Sequence, residues 1–131
     1  MMPEINYIAV LLAALSAFVL GGIWYSAIFG RAWMARTGQS EEKLKSGNPA
    51  VIFGLSFILN LIQAWVLAMF IGPADLGFAI AAGLSVGLCW VATGLGVNYL
   101  FERRPLGLWL INGGYFVLQF AIMGAIIGAF N

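Results

Sequence analysis

The chain has 131 residues, of which 63% are hydrophobic and 8% charged, with a formal net charge of +1 and a mean hydropathy of +0.98. Soluble domains carry roughly 25% charged residues, and a chain this short leaves much of its surface exposed, so this composition calls for lipid rather than water as solvent. The near-neutral charge opposes nucleic acid as a partner. The absence of histidine and the single cysteine, Cys89, oppose metal, disulfide and acid–base chemistry.

A bilayer core about 30 Å thick needs about 20 apolar helical residues. Four uncharged runs meet that length. The first spans about 5–29 and ends at Gly30-Arg31. A cleaved signal peptide is the competing reading, but the preceding residues hold Glu4 and no basic residue, and Arg31 resembles a stop-transfer charge. The second spans about 49–72, with Asn48 as N-cap, Pro49 in the first turn and Gly72-Pro73 as terminator. The third spans about 76–101 after the cap residue Asp75, and the fourth about 105–130 from Pro105. Between them lie loops 30–48 and 102–104. The stretch from Ser40 to Lys45 in the first loop reads as a short N-capped helix on the membrane surface.

All six basic residues, Arg31, Arg36, Lys43, Lys45, Arg103 and Arg104, fall in those two loops. By the positive-inside rule the loops are cytoplasmic and both termini face the periplasm or exterior. The expected fold is therefore all-α: an integral membrane four-helix bundle of two helical hairpins in the plasma (inner) membrane. Trp24, Tyr25, Trp33, Tyr99 and Trp109 gather near the basic loops, as amphipathic rings do at the headgroup level.

Polar residues inside spans report the face turned toward protein, because an unsatisfied amide in hydrocarbon is costly. Ser56, Asn60 and Gln63 form one helical stripe, and Asn112, Tyr115 and Gln119 another. At about 1.5 Å per residue, Ser56, Thr93 and Asn112 share a level about 10 Å from the cytoplasmic ends, and Ser16, Gln63, Ser85 and Gln119 one about 20 Å in. These residues are either glue between helices or the lining of a path for a neutral solute or ion. Aligning Pro49 with Pro105 brings Ser56 onto Asn112, Gln63 onto Gln119 and Gly72 onto Gly128. That match is compatible with a parallel duplication and with chance matching of apolar filler. Small residues at helical spacing, Ala13, Ala17, Gly21, Gly83, Gly87, Gly124 and Gly128, allow close packing within the chain or between subunits.

The segments GGIWYSAIFGRAWM (Gly21 to Met34) and NYLFERRPLGLWLINGGY (Asn98 to Tyr115) resemble the small bacterial membrane family named domain of unknown function 1761, and the likeness runs the length of the chain. The resemblance implies four-helix membrane proteins of about this size and supplies no activity, cofactor or functional residue. It does direct attention to the cytoplasmic boundary, where Trp24, Tyr25, Asn98, Tyr99, Glu102, Arg103, Trp109 and Asn112 form either an inward-facing polar and aromatic pocket or an aromatic belt with loop salt bridges. With no charged group inside a span and no nucleophile–base pair in view, the expected role is non-enzymatic and cofactor-free. It acts through helix packing, as a homo-oligomer or as an accessory subunit of a membrane-protein partner in the lipid bilayer. The alternative is a small channel or carrier.

Overall fold

The computed structural model describes residues 5–40, 42–43 and 46–131. Glu4, and Glu41, Leu44 and Lys45 of the expected surface helix, lie outside the described residues. Four helices, α1 (Tyr7–Ile28), α3 (Pro49–Ile71), α4 (Leu76–Glu102) and α5 (Leu106–Ala129), are long and apolar enough to cross a membrane. A shorter helix, α2 (Gly30–Thr37), follows α1 directly. The described residues contain no strand.

Local chemistry sets the ends. The Asn6 side chain accepts from the amides of Ile8 and Ala9 at 3.0 and 3.2 Å, and Asn48 caps α3 through Ala50 and Val51. Asp75 accepts from the Phe78 amide at 2.8 Å. Each cap satisfies amides that the first helical turn leaves without partners. Between α4 and α5 the chain reverses through Arg103, held in the left-handed region at φ 60°.

Helix α2 departs from the expected loop. Gly30-Arg31 read as the end of a span, but they end it only to begin another helix. The last turn of α1, Ile23–Ile28, is a π-helix that closes with the Phe29 amide bonded to the Trp24 carbonyl at 2.8 Å. The chain then turns so tightly that a Cβ on Gly30 would stand 2.9 Å from the Tyr25 carbonyl oxygen. Only glycine fits there without a shift.

The helices meet through small residues. Ala9, Ala13, Ala14 and Ala17 are buried on α1, Ala64 and Ala68 on α3, and Ala79, Gly83 and Gly87 on α4. Large side chains such as Leu59, Phe70, Trp90 and Leu100 point outward. This inversion of the soluble pattern fits lipid, where apolar bulk gains nothing by leaving the solvent and close approach of backbones holds helices together. The tightest contact is antiparallel, α4 on α5. A Cβ on Gly83 would overlap the Phe120 carbonyl, one on Gly124 the Ala79 carbonyl, and one on Gly87 would sit 2.7 Å from the Phe116 carbonyl. Gly21 of α1 rests under the Tyr115 ring. The small-residue faces are thus used inside the chain.

Packing is uneven along the bundle. The continuous core, including Val10, Ala13, Ala17, Ala64, Leu67, Ile71, Ala79, Phe120, Met123 and Ile127, occupies only the end containing the start of α1, the end of α3, the start of α4 and the end of α5. The Asn131 amide ties that end shut by donating to the carbonyls of Gly72 and Ala74, both at 2.8 Å. Helix α5 is central, in contact with α1, α3 and α4. Gly83→Val or Gly124→Val forces backbones apart and is expected to lower stability by about 2–3 kcal/mol. Gly54→Ala, where a Cβ meets nothing within 4 Å, should stay within about 0.5 kcal/mol of wild type. Midpoints of detergent-titrated unfolding followed by circular dichroism measure both.

Candidate functional site

At the opposite end, near the basic segments, the helices part around a cavity of about 910 Å³. Tyr25, Ser26, Gly30, Arg31, Trp33 and Met34 line it from the end of α1 and from α2, Ile52, Phe53 and Ser56 from α3, and Tyr99, Asn112 and Phe116 from α4 and α5. The π-helical turn of α1 explains how two consecutive residues serve the same neighbour. Wider turns rotate less per residue, so the Trp24 indole reaches the Ile111 carbonyl at 2.9 Å while the Tyr25 hydroxyl reaches Asn112 Oδ1 at 2.7 Å.

Asn112 joins two tyrosines. Its Nδ2 donates to the Tyr99 hydroxyl at 2.7 Å, giving a chain from α1 through α5 to α4. Two phenols and one amide supply more donors than this chain uses. Whichever way the amide is turned, it accepts one phenol proton and donates to the other phenol, leaving that second O–H free. Both tyrosines line the cavity, so the free donor belongs to its wall. Tyr25 also stacks edge-on to Trp33 at 5.9 Å and lies 5.2 Å from the Tyr115 ring.

The other expected polar residues divide. Gln119 Nε2 donates to Gln63 Oε1 at 3.0 Å, so the two aligned glutamines meet. Gln119 is 1% exposed, and its own Oε1 is buried without a partner among the described residues. The Tyr115 hydroxyl donates to the Ala17 carbonyl at 3.0 Å. Thr93 does not join these residues: it is exposed, and its hydroxyl bonds the Cys89 carbonyl of its own helix at 2.6 Å. Ser16 and Ser85 likewise bond back to Ala13 and Ala81. Asn60 is half-exposed on α3 and takes no part in these bonds.

Of the expected boundary pocket, Tyr25, Tyr99 and Asn112 line the cavity. Trp24 lies behind it against Ile111. Asn98, Glu102 and Arg103 are exposed outside it. Asn98 stands about 100° round α4 from its neighbour Tyr99, and Glu102 and Arg103 stand exposed in the last turn and the reversal. Glu102 pairs instead with Arg104 at 3.4 Å, and the Arg104 guanidinium lies 5.4 Å from the Tyr99 ring centre. Trp109 donates to the Ala92 carbonyl at 2.8 Å and lines a separate recess of about 200 Å³ on the far side of Tyr99. Sequence reasoning missed Arg31, Trp33, Met34, Ile52, Phe53 and Phe116 as wall residues. Recognising Gly30 as a corner rather than a terminus would have found the three residues on α2.

These features define a helical protein of membrane-spanning dimensions, closed at one end and opening at the other into a polar and aromatic cavity. No curated protein and no solved structure matches the chain. The chain belongs to the family described as Protein of unknown function (DUF1761), whose model matches residues 8–128.

Removing one partner from the three-residue chain should cost about 0.6 and at most about 1.7 kcal/mol per bond, the range for hydrogen bonds between membrane helices. A double-mutant cycle of Tyr25→Phe and Asn112→Leu is expected to show coupling of that size. Thr93→Val should remain within about 0.5 kcal/mol of wild type. Detergent-titrated unfolding gives all four free energies.

Proposed function

We propose that the protein is a non-enzymatic integral membrane protein of the inner membrane that binds a small amphipathic molecule in the cavity near its basic loops. The cavity carries the reading: about 910 Å³ is within the usual range for a drug-sized ligand, and few, convergent polar groups on a mostly apolar wall are the usual lining of such sites. The confinement of all six basic residues to 30–48 and 102–104 supports a threading of two hairpins, with the loops cytoplasmic and both termini outside. The ligand then enters at the inner headgroup level. Among the described residues the cavity wall has no carboxylate, thiol or imidazole to act as a general base, which supports binding without turnover.

An amide-lined path would have to continue past the cavity's deepest wall residues, Ser56 and Phe116, to the bonded pair of Gln63 and Gln119. A carrier would need that pair to part. Native mass spectrometry of the detergent-purified protein should release one small molecule or lipid per chain, and Ser56→Trp, whose indole intrudes on the cavity from α3, should weaken its retention severalfold without loss of helicity. Equal retention by the folded variant overturns the reading.

One observation favours a second role, self-association. Asn60 is part-buried on the least enclosed span, its side chain makes no hydrogen bond among the described residues, and an amide in hydrocarbon is costly without a partner. A second copy supplies one. Light scattering in detergent should then find a dimer or larger oligomer that Asn60→Leu shifts toward monomer; a monomeric wild type overturns it.

A further inference from the structure

The geometry points to an anionic amphiphile as the occupant of the cavity, its phosphate or carboxylate head held by Arg31 and a tyrosine hydroxyl, and its apolar body lying between α2 and α3. This rests on the reading of the cavity as a binding site and adds the charge and shape of what it takes.

Three observations select that chemistry. The first is charge. Arg31 is the one charged residue on the cavity wall, and among the described residues its guanidinium has no carboxylate partner, the single ion pair there being Glu102 with Arg104. A guanidinium at the edge of an apolar space binds carboxylate or phosphate through paired N–H donors. The second is the donor count of the wall. The Tyr25–Asn112–Tyr99 chain closes with one phenol proton unused, so a second donor accompanies Arg31, while among the described residues no acidic side chain on the wall competes for either. A cationic ligand would meet the guanidinium with nothing to offset it.

The third is the apolar wall. Trp33, Met34, Ile52, Phe53 and Phe116 bound the remaining space. A bare inorganic anion would leave these surfaces wet, and a plain hydrocarbon would leave the guanidinium and the phenol unpaired. A molecule with both parts satisfies both. The fold orders the parts along the bundle: the corner at Gly30 sets Arg31 at the start of α2, at the mouth of the cavity, the phenols meet Asn112 further in, and Phe116 lies about one turn deeper along α5. The head therefore sits at the headgroup level and the body points into the bundle.

Dodecyl phosphate, dodecanol, dodecyltrimethylammonium and inorganic phosphate, added to protein purified in a neutral maltoside detergent, separate the components. Binding is read by native mass spectrometry and by the shift in thermal unfolding midpoint. Wild type is expected to retain one dodecyl phosphate with an affinity about tenfold or more above that for dodecanol, the effect of one charge-assisted contact, and to show no shift with dodecyltrimethylammonium or inorganic phosphate. Arg31→Gln should bring dodecyl phosphate and dodecanol within about twofold of each other, and Arg31→Lys should restore part of the preference. Phosphatidic acid retained with the same Arg31 dependence supports the proposal with the bilayer as source; retention of the single-chain phosphate alone supports it with a soluble amphiphile as source. Equal binding of dodecyl phosphate and dodecanol by wild type, with both weakened in Ser56→Trp, overturns the anionic assignment and leaves the cavity reading standing. Binding that folded Ser56→Trp leaves unchanged overturns both.

Discussion

The contact on which the rest depends is the close approach of α4 to α5 through Gly83, Gly87, Gly124 and Gly128. In hydrocarbon, apolar side chains gain little by leaving their solvent, so helices are held by dispersion between surfaces that fit and by the polar groups they share. Glycine lets the Phe116, Phe120 and Ala79 carbonyls lie directly against the neighbouring helix. These positions lie toward one end of the molecule, and the alanines of α1 and α3 extend the same tight packing around α5. One end is therefore closed by backbone proximity.

The other end is built on a different interaction. Trp24, Tyr25, Phe29 and Trp33 on one side, and Tyr99 and Trp109 on the other, are wide and aromatic, and rings of this size prevent the backbone approach that glycine permits. What joins the helices there is directional: the Trp24 indole to the Ile111 carbonyl, the Trp109 indole to the Ala92 carbonyl, and two phenols on one asparagine. Such bonds fix distance without filling volume. A bundle glued by small residues at one end and braced by rings and amides at the other must splay, and the cavity is the space that the bracing holds open.

The spans, their caps at Asn48 and Asp75, and the inward face of Gln63 and Gln119 were legible in the sequence, because each follows from a local rule: apolar length, a side-chain acceptor before a helix, and amides turned from lipid. The bond between the two glutamines was not, since depth alone does not pair two helices. The role of Asn112 was half legible. Its place on a polar stripe is a matter of periodicity, but its bonds to Tyr25 and Tyr99 depend on a π-helical turn that no residue type announces. Thr93 misled for the converse reason. A hydroxyl can bond a carbonyl one turn back on its own helix, so its presence at a given depth says little about what it faces. Helix α2 was hidden because Gly30 followed by a charge is the ordinary mark of a span's end, and only the tight turn against the Tyr25 carbonyl shows that glycine there serves a corner.

The glutamine pair marks the boundary between the two regimes. Gln119 is enclosed at the edge of the close-packed core, yet its carbonyl oxygen has no donor among the described residues, a deficit of about 1–3 kcal/mol for a buried polar atom. The bond to Gln63 offsets part of that cost and links α5 to α3, the span least enclosed by its neighbours. Leucine at both sites would pack without the deficit, so the amides are poorly explained as stabilisers. Their effect is on register. A single polar pair in an apolar interface rejects rotations and slips that dispersion alone would tolerate, and a rotated α3 would carry Ile52, Phe53 and Ser56 away from the cavity wall. The pair is thus best understood as fixing the orientation of the loosest helix, about two turns of helix beyond the space that helix helps to enclose.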